Sequence, residues 1–590
     1  MRYHKRIALS AICFLAFVWN ILPLSLQAQD SKAKPDLDSL YNAFLNLKGV
    51  HPLPPAPRAG EPQRVKEQIP GKCGFSLVAQ VRNNLSSFSP AQKSVLEKIL
   101  EDRPVLQTSI ISPSGFFRIH FNTTGDSIPN YDQALSPLEN ARQAAIAMDS
   151  AYKFEVNYLG FLPPPSDNGK GGDNRYDVYL MDISDYGYTQ VDSMLGPEGL
   201  TATSYMVIDN DFNPGEHYYT TGLGGMYVTA AHEFHHAIQI GSYNATMNDE
   251  DLYFYEGTST AMEELVFDTV DDYYQYLRNY FNQPDKPFYK YSKNESYTAV
   301  IWMLFQHYDF GKDIIREEWE NFRQESSLRS MNTALAHHSS SLKQAMNTYG
   351  GWSFFTGYRT QQGKYFKEAR NYPLLRPNYS LTMTSNEQMV DLFTDPLSNN
   401  FVRFLADNGS TIDTVVVILT NGDVQSAITN MGNTSGGAPD ITENARLTLY
   451  TYAAANAVKI ANNYYSLITA DQPDIFLESD ILNNILANGG TFNITELDFA
   501  FPNPFNYSKN QYVYLPVAPN KMNSASLKIF TSSMDLVFSG SGNIIPMYDS
   551  YTLQWNCSDS KGSRLPSGVY FYVTDSEGSL KKGKIVIQNE

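Results

Sequence analysis

Cysteine is scarce in this sequence, which contains only Cys13, Cys73 and Cys557 among its 590 residues. Cys13 lies in an apolar stretch near the start of the chain, without the pattern that precedes a lipid-modified cysteine. The other two lie far apart, so they provide no disulfide framework of the kind that holds small exported domains together. The fold is therefore expected to depend on hydrophobic cores.

Basic residues are outnumbered by acidic ones. The chain has 44 Lys and Arg residues against 62 Asp and Glu residues, which gives a formal net charge of −18 at pH 7. A protein that binds nucleic acid needs a cationic surface to neutralise the phosphates. The acidic balance therefore argues against nucleic acid as a partner.

Long apolar runs are missing after the first 28 residues. Lys5 and Arg6 precede an apolar run over residues 7–26, and Ala28 suits the last position before a cleavage site. This pattern predicts a secretory signal peptide over residues 1–28, with an uncleaved membrane anchor as the alternative. No later segment has the apolar length that spans a bilayer. We therefore expect a secreted or cell-surface protein with no transmembrane segment after signal removal.

The length of the chain exceeds what a single hydrophobic core supports, so several domains are expected. Residues 29–112 begin Pro-rich and polar and are typical of a pro-region or linker. Within them, a helix is expected near residues 89–101. Ser89, followed by Pro90 and Gln92, fits a capping box with proline at the first helical position.

An α+β domain is expected over residues 113–372. Ser136 and Glu139 fit a second capping box, and residues 176–183 and 205–209 have the composition of strands. Helical patterns follow these strands. Strands that precede helices, rather than alternate with them, favour an α+β arrangement.

Two β-modules are expected after this domain, over residues 373–496 and 497–590. In both segments, short apolar stretches alternate with turns rich in Asn, Gly and Ser. This texture is typical of β-sandwiches.

The most informative segment is AAHEFHHAI, residues 230–238, which contains His-Glu-x-x-His. On a helix, His232 and His236 lie on one face, so both imidazoles can bind one metal ion. Glu233 lies beside them and can take a proton from a metal-bound water, whose pKa Zn²⁺ lowers while it polarises a carbonyl. The alternative is a surface helix with incidental histidines.

A catalytic zinc needs a third protein ligand and one open position. A histidine ten residues after His232 would supply that ligand in one group of peptidases, but Ser242 stands there. Glu256 follows His236 after nineteen intervening residues, enough for the chain to turn and return on a second helix. Glu256 is therefore predicted as the third ligand. Glu263 shares its helix face and is either a partner of a ligand histidine or a solvated charge.

A hydrogen-bond donor toward the oxyanion of a tetrahedral intermediate is also needed. Tyr291 and Tyr297 are the downstream candidates, and Tyr297 is preferred because it directly precedes an apolar helix. The chain has 40 tyrosines, so a packing role is the alternative for either residue.

The motif resembles the gluzincin clan of zinc peptidases, in which His-Glu-x-x-His is followed by a glutamate, here in the context Glu-Gly-Thr-Ser. Residues 73–330 also resemble a group of secreted bacterial metalloprotease-like proteins. The segments that carry this resemblance are Lys72-Cys73-Gly74, FRIHF at 117–121, YDVYL at 176–180, and residues 232–239 and 256–263. The aminopeptidase signature Gly-x-Met-Glu-Asn is absent, so an endopeptidase is expected. The thermolysin-type aspartate is Thr260 here.

The C-terminal segment resembles the sorting modules of type IX secretion substrates and FlgD-like Ig domains. The residues that carry this resemblance are Pro502-Asn503-Pro504-Phe505, Trp555, Ser567-Gly568-Val569-Tyr570 and Lys582-Gly583-Lys584-Ile585-Val586. The resemblance implies that an outer-membrane secretion machinery is a partner, and that the protein is released or attached at the cell surface.

Cys73 raises a separate hypothesis. A thiolate in the pro-region can fill the open zinc position and keep an enzyme latent, because zinc favours sulfur ligands. Lys72 beside it would help the thiol to ionise. The alternative is an isolated cysteine in a loop or a core.

Together these observations predict a multidomain protein with an α+β zincin-type metallopeptidase domain followed by β-sandwich modules. Its substrates would be proteins or peptides. Zn²⁺ would be bound by His232, His236 and Glu256, with Glu233 and Tyr297 as the catalytic residues. The alternatives are a cell-surface adhesin with an inactive metalloprotease-like domain, and a zinc hydrolase that acts on non-peptide bonds.

Overall fold

The computed structural model describes most of the chain from residue 36 onwards. The described residues are 36–50, 72–125, 127–196, 200–216, 218–361, 363–382, 387–405, 414–433, 441–452, 455–459, 464–470, 500, 503–508, 510–518, 524–531, 534–547, 550–576 and 578–588. The predicted signal peptide, residues 1–28, lies outside them. No helix within these ranges is long and apolar enough to span a bilayer.

Three helices precede the first strand: α1 (Leu37–Leu47), α2 (Phe75–Asn83) and α3 (Pro90–Glu101). The expected helix near residues 89–101 is confirmed as α3, which begins with a complete capping box between Ser89 and Gln92. Helix α1 was not expected in a Pro-rich segment. Asp36 caps it by accepting from two backbone N–H groups, and its apolar residues repeat on one buried face.

A five-stranded mixed sheet follows, with the strands β1 (Thr108–Ile111), β2 (Phe117–Phe121), β3 (Tyr176–Met181), β4 (Gly187–Leu195) and β5 (Thr201–Asp209). Their order is β1-β2-β3-β5-β4. β2, β3 and β5 run parallel, while β1 and β4 are antiparallel to their neighbours. Strand β4 is therefore an edge strand.

Eight further helices complete this part of the chain. They are α4 (Pro137–Tyr152), α5 (Gly222–Ile238), α6 (Leu252–Val266), α7 (Tyr274–Asn282), α8 (Val300–Phe310), α9 (Ile314–Phe322), α10 (Ser327–His337) and α11 (Leu342–Phe354). The second expected capping box is confirmed, since Ser136 accepts from the N–H of Glu139 and the Glu139 side chain reaches back. Helix α5 carries the His-Glu-x-x-His motif.

The sheet is covered on both faces, and the alternation of side chains along its strands shows how. Val178 and Met206 point into a core shared with α4 and α5. Their neighbours Tyr179, Tyr205 and Val207 point the other way, into a core shared with α1, α2 and α3. Successive residues of a strand face opposite sides of the sheet. Strands that are buried on both faces are therefore apolar along almost their whole length.

The next segment contains two sheets and a helix. Its elements are β6 (Tyr379–Thr382), β7 (Glu387–Thr394), β8 (Ser398–Leu405), β9 (Thr414–Asn421), α12 (Val424–Asn433), β10 (Glu443–Tyr452), β11 (Ala455–Lys459) and β12 (Tyr464–Ala470). The sheets have the orders β12-β9-β8-β6 and β11-β10-β7. Strands were expected here, but helix α12 was not.

The last segment forms one seven-stranded sheet. Its strands are β13 (Phe505–Asn506), β14 (Val513–Val517), β15 (Ser524–Thr531), β16 (Leu536–Met547), β17 (Ser550–Trp555), β18 (Gly568–Ser576) and β19 (Ser579–Gln588), in the order β13-β19-β18-β15-β16-β17-β14. Thr574 in β18 donates to the carbonyl of Pro516 in β14 at 2.6 Å, so the sheet curls back on itself. The multidomain class, with helices and several sheets, is thereby confirmed.

The cap of α4 gives a test of this local structure. Ser136→Ala removes the acceptor for the N–H of Glu139, and we expect it to lower the free energy of unfolding by about 1 kcal/mol. Urea denaturation followed by far-ultraviolet circular dichroism reports this change, because the helices lie mainly in this part of the chain. Ser150→Ala in the same helix is the control and should change the value by less than about 0.5 kcal/mol. Equal effects of the two substitutions would contradict the role of the cap.

Candidate metal centre

Close packing brings α5, α6 and the edge strand β4 together. A Cβ added at Gly187 in β4 would lie 2.8 Å from Thr229 Cγ2 and 3.1 Å from Glu233 Cγ, so only glycine allows α5 to approach the strand this closely. At Gly257 in α6, an added Cβ would lie 2.8 Å from the Cβ of Ala299. The first contact places the motif of α5 against the edge strand, and the second brings α6 close to the segment that precedes α8.

The structure brings the three predicted ligands together as a buried donor cluster: His232 Nε2, His236 Nε2 and Glu256 Oε2. The two nitrogens are 3.1 Å apart, and they lie 3.2 and 3.3 Å from the carboxylate oxygen. All three side chains are almost completely buried. The spacing predicted from helix geometry is thus present, with two donors from α5 and one from α6.

A fourth potential ligand lies at the same place. The Sγ atom of Cys73 and the donor atoms of His232, His236 and Glu256 all lie within 4.8 Å of one another. Cys73 precedes α2 and comes from the N-terminal part of the chain. The long separation in sequence between Cys73 and the two helices does not predict that they meet. The preference of zinc for sulfur is the sequence-based reason to expect Cys73 as a ligand.

Hydrogen bonds behind the imidazoles fix which nitrogen faces the centre. His232 Nδ1 lies 2.7 Å from Glu263 Oε1, and His236 Nδ1 lies 2.7 Å from Gln239 Oε1. The amide nitrogen of Gln239 is engaged with the carbonyl of Tyr255, so its oxygen faces the histidine as an acceptor. Both Nδ1 atoms therefore act as donors, which leaves the Nε2 atoms free to present lone pairs to a metal.

The donor cluster fits a zinc ion. A tetrahedron with bonds of about 2.0 Å has edges of about 3.3 Å, close to the separations of the three donor atoms. The other oxygen of Glu256, Oε1, is buried and has no hydrogen-bond partner among the described residues. Three lone-pair atoms this close repel each other unless positive charge lies between them, and two nitrogens with one carboxylate oxygen form a donor set that Zn²⁺ accepts.

The electrostatics of the site agree with this fit. Burial lowers the pKa of His232, but contacts with Glu256 and Glu263 outweigh it and raise the pKa to about 9. For Glu256, burial is outweighed by His236 and His232, and the pKa falls to about 2. The raised pKa of His232 shows that the site stabilises positive charge, which a proton or a metal ion can supply, and the lowered pKa of Glu256 shows that its carboxylate is kept in the ionised form.

Glu233 lies beside the donor cluster and is held from two sides. Its Oε2 accepts from the hydroxyl of Thr189 in β4 at 2.8 Å. Its Oε1 lies 2.9 Å from Cys73 Sγ. The Thr189 hydroxyl also lies 2.9 Å from the backbone carbonyl of Glu233, which ties the carboxylate to the edge strand. A carboxylate fixed in this way can accept a proton from a group bound at the centre.

Of the two candidate tyrosines, the structure places Tyr297 near the metal centre. Its ring centroid lies 6.0 Å from that of His232, and its hydroxyl donates to the carbonyl of Cys73 at 3.4 Å. Tyr297 lies in the 3₁₀ segment Lys293–Ala299, just before α8. Tyr291 instead packs under the ammonium of Lys286, which lies 5.4 Å from its ring centroid.

Lys72 does not serve the thiol as expected from the sequence. Its ammonium is buried and binds Glu263 at 2.9 Å and Asp272 at 2.6 Å. The pKa of the Cys73 thiol is raised, first by burial and then by the negative charges of Glu233 and Glu256. Lys72 therefore anchors the chain by pairing with two carboxylates. The hypothesis that its charge helps the Cys73 thiol to ionise is not supported by these contacts.

Four contributors to the site were missed by sequence reasoning: Phe75, Thr189, Gln239 and Asp272. Phe75 stacks on the ring of His236, with centroids 4.0 Å apart. Gln239 lies three residues after His236 on the same helical turn, so that spacing could have identified it. Thr189 and Asp272 come from distant parts of the chain, and no local pattern marks them.

Comparisons with known proteins leave the family open. No family model matches the chain, and no curated protein does. Among solved structures, PorZ, a surface component of the type IX secretion system of Porphyromonas gingivalis, matches with 13% identity over 34% of this chain and 38% of its own, at a TM-score of 0.12. Latent dimeric PorU from the same organism matches with 13% identity, 37% and 20% coverage, and a TM-score of 0.12. The neural ectodermal development factor IMP-L2 matches with 6% identity over 36% of this chain and 90% of its own, at a TM-score of 0.09.

These similarities are partial and weak. The chain spans 38% of the length of PorZ and 20% of that of PorU. The TM-scores are too low to support an argument about fold or function. Any functional assignment therefore depends on the geometry of the donor cluster and the residues around it.

The contact behind His232 can be tested by metal affinity. Glu263→Gln keeps the shape of the side chain but removes its charge, and we expect zinc to bind about 10–100-fold more weakly. Glu264→Gln is the matched control. Burial and then the charge of Glu368 raise the pKa of Glu264 to about 9, so that carboxyl is already neutral at pH 7. Competition against a chromophoric chelator measures both affinities, and a loss in the control as large as in Glu263→Gln would refute the assignment.

Proposed function

We propose that this protein is a secreted zinc-dependent endopeptidase of the gluzincin type. The observation that carries the proposal is the buried donor cluster of His232, His236 and Glu256, with separations of 3.1–3.3 Å and the Glu233 carboxylate beside it. Incidental histidines on a surface helix would be exposed and would lack partners behind both rings. The alternative of a surface helix therefore receives no support.

Each residue of the site has a separate task in this proposal. His232, His236 and Glu256 hold the zinc ion, which when bound polarises the scissile carbonyl and lowers the pKa of the attacking water. Glu233 accepts the proton of that water and returns it to the leaving amine. Thr189 holds the carboxylate of Glu233 in place from the edge strand.

The edge strand β4 supports a peptide as the substrate. Among the described residues no further strand of the sheet pairs with its outer side, so an extended peptide can add to it by main-chain hydrogen bonds. Gly187 at the start of β4 lies against Glu233, and its carbonyl already accepts from the backbone N–H of Gly74 at 2.8 Å. A peptide N–H thus fits this edge next to the metal centre, which favours peptides over other hydrolysable substrates.

Tyr297 is proposed as the donor to the oxyanion. Its ring lies beside that of His232, and its hydroxyl already donates to a peptide carbonyl, that of Cys73. A scissile carbonyl in a similar position would receive the same hydrogen bond, which strengthens as negative charge develops on the oxygen.

Export is proposed from the sequence features at the two ends of the chain. The predicted signal peptide would direct the protein across the inner membrane. The C-terminal module, by its resemblance to type IX sorting modules, would then engage an outer-membrane secretion machinery. This segment forms one seven-stranded sheet that curls back on itself instead of the two separate sheets of an Ig-like sandwich, so its role as a sorting module is proposed from the sequence resemblance.

The catalytic assignment is tested with Glu233→Gln. The comparison is made in the Cys73→Ala background, because Cys73 contacts Glu233. We expect about one zinc per chain with and without this substitution. We also expect Glu233→Gln to slow casein hydrolysis by about 10²–10⁴-fold, because a glutamine amide cannot accept the proton of the attacking water. Atomic absorption gives the zinc content, and removal of zinc by a chelator should abolish the remaining hydrolysis.

Three other outcomes would redirect the conclusion. Bound zinc without hydrolysis of casein in either protein would favour a zinc hydrolase of non-peptide bonds. Equal hydrolysis in both proteins would remove Glu233 from the mechanism. A protein without zinc would favour the adhesin, whose β-modules would then carry the function.

The role of Tyr297 is tested by Tyr297→Phe. Loss of one oxyanion donor is expected to lower kcat by about 10²-fold and to leave KM nearly unchanged, because the hydrogen bond forms mainly in the transition state. Tyr291→Phe, a buried tyrosine outside the metal centre, is the control and should leave kcat unchanged. A rise in KM alone would indicate that Tyr297 only binds the substrate.

A further inference from the structure

We infer that residues 72–75, the covering segment, hold the metal centre latent, with Cys73 Sγ in the fourth coordination position. This inference rests on the proposed function, because it concerns the same zinc ion. It goes further by naming the group that fills the open position and by predicting that the chain carries its own inhibitor.

The sulfur of Cys73 lies where a fourth zinc ligand would bind. Cys73 Sγ joins His232, His236 and Glu256 in one cluster whose donor atoms lie within 4.8 Å of one another. Sulfur is a preferred ligand of zinc, and two nitrogens, one carboxylate oxygen and one sulfur complete a tetrahedral set. Glu256 Oε1, fully buried in the same place and without a partner among the described residues, independently indicates that the centre is built for a ligand. A catalytic zinc needs that fourth position for water or substrate, so a sulfur there excludes both.

The covering segment also occupies the general base. Cys73 Sγ lies 2.9 Å from Oε1 of Glu233, the atom that would accept the proton of the attacking water. A water molecule between the metal and Glu233 would have to occupy the space that the sulfur fills. One side chain therefore blocks both the metal and the base.

The backbone of the covering segment makes the contacts that a substrate would make. The N–H of Gly74 donates to the carbonyl of Gly187 on the edge strand, at 2.8 Å. The carbonyl of Cys73 accepts from Tyr297. Gly74 is required for this approach, since an added Cβ would lie 2.6 Å from a methyl group of Leu47 and 3.0 Å from Cβ of Tyr188.

Two side chains hold the covering segment in place. On one side of Cys73, the ammonium of Lys72 is buried between Glu263 and Asp272 and lies 4.4 Å from the ring centroid of Tyr186. On the other side, Phe75 stacks on His236. Because Lys72 binds the same carboxylate that orients His232, the covering segment is anchored to the metal site itself rather than to a distant surface.

The identity of the fourth ligand is tested with cobalt in place of zinc in the full chain. We expect a sulfur-to-cobalt charge-transfer band in the near ultraviolet for the wild type. The band should persist in Cys557→Ser, which removes the second buried free cysteine of the described residues, and should disappear in Cys73→Ser. Cobalt bound to the wild type without this band would overturn the inference while leaving the proposed function intact.

The inhibitory effect is tested by casein hydrolysis of the same proteins loaded with zinc. Cys73→Ser and Cys73→Ala should hydrolyse casein about tenfold faster than the wild type or more, and Cys557→Ser should match the wild type. A gain of activity cannot arise from misfolding, so these variants remain informative. If the cobalt band is present but neither Cys73 variant gains activity although both retain zinc, Cys73 is a structural ligand and latency is refuted. A wild type that binds neither metal would refute the proposed function together with this inference.

Discussion

The carboxylate of Glu263 links His232 of the donor cluster to Lys72 of the covering segment. One of its oxygens lies 2.7 Å from His232 Nδ1, and the other lies 2.9 Å from the ammonium of Lys72. All three groups are buried, so the loss of any one would leave an uncompensated charge in a medium of low dielectric. The orientation of His232 and the position of the covering segment are therefore set by the same group.

Charge balance explains why this arrangement favours a cation. Glu233, Glu256, Glu263 and Asp272 are buried around the centre, and Lys72 is the buried ammonium that faces them in the part of the chain that the structure describes. Even with His232 protonated, as its raised pKa allows, the four carboxylates outnumber the two positive charges, and this excess of negative charge is costly away from water. A divalent cation bound by the donor cluster reduces that excess where it is most concentrated. The stability of the fold and the affinity for the metal are thus expected to be linked.

The parts of the centre that the sequence predicts are those set by local geometry. His232 and His236 are four residues apart on one helix, and their spacing alone places both imidazoles on the same side. Glu256 and Glu263 follow the same rule on α6. Thr189 could not be predicted, because it reaches Glu233 only through the pairing of β4 in the sheet and the packing of α5 on that strand.

The N-terminal part of the chain shows the same division. The capping box of α3 was predictable, since Ser89 and Gln92 interact within one turn. Helix α1 could not be predicted, because the segment around it is rich in proline. The residues it packs against lie on a face of the five-stranded sheet that is distant in the sequence. The covering segment resembles a substrate in its backbone contacts, yet it presents the sulfur of Cys73 to the donor cluster while Tyr297 holds the carbonyl. Under the proposed latency, the sulfur of Cys73 would take the place of the attacking water, so the carbonyl held by Tyr297 would meet no nucleophile and the segment could persist uncleaved.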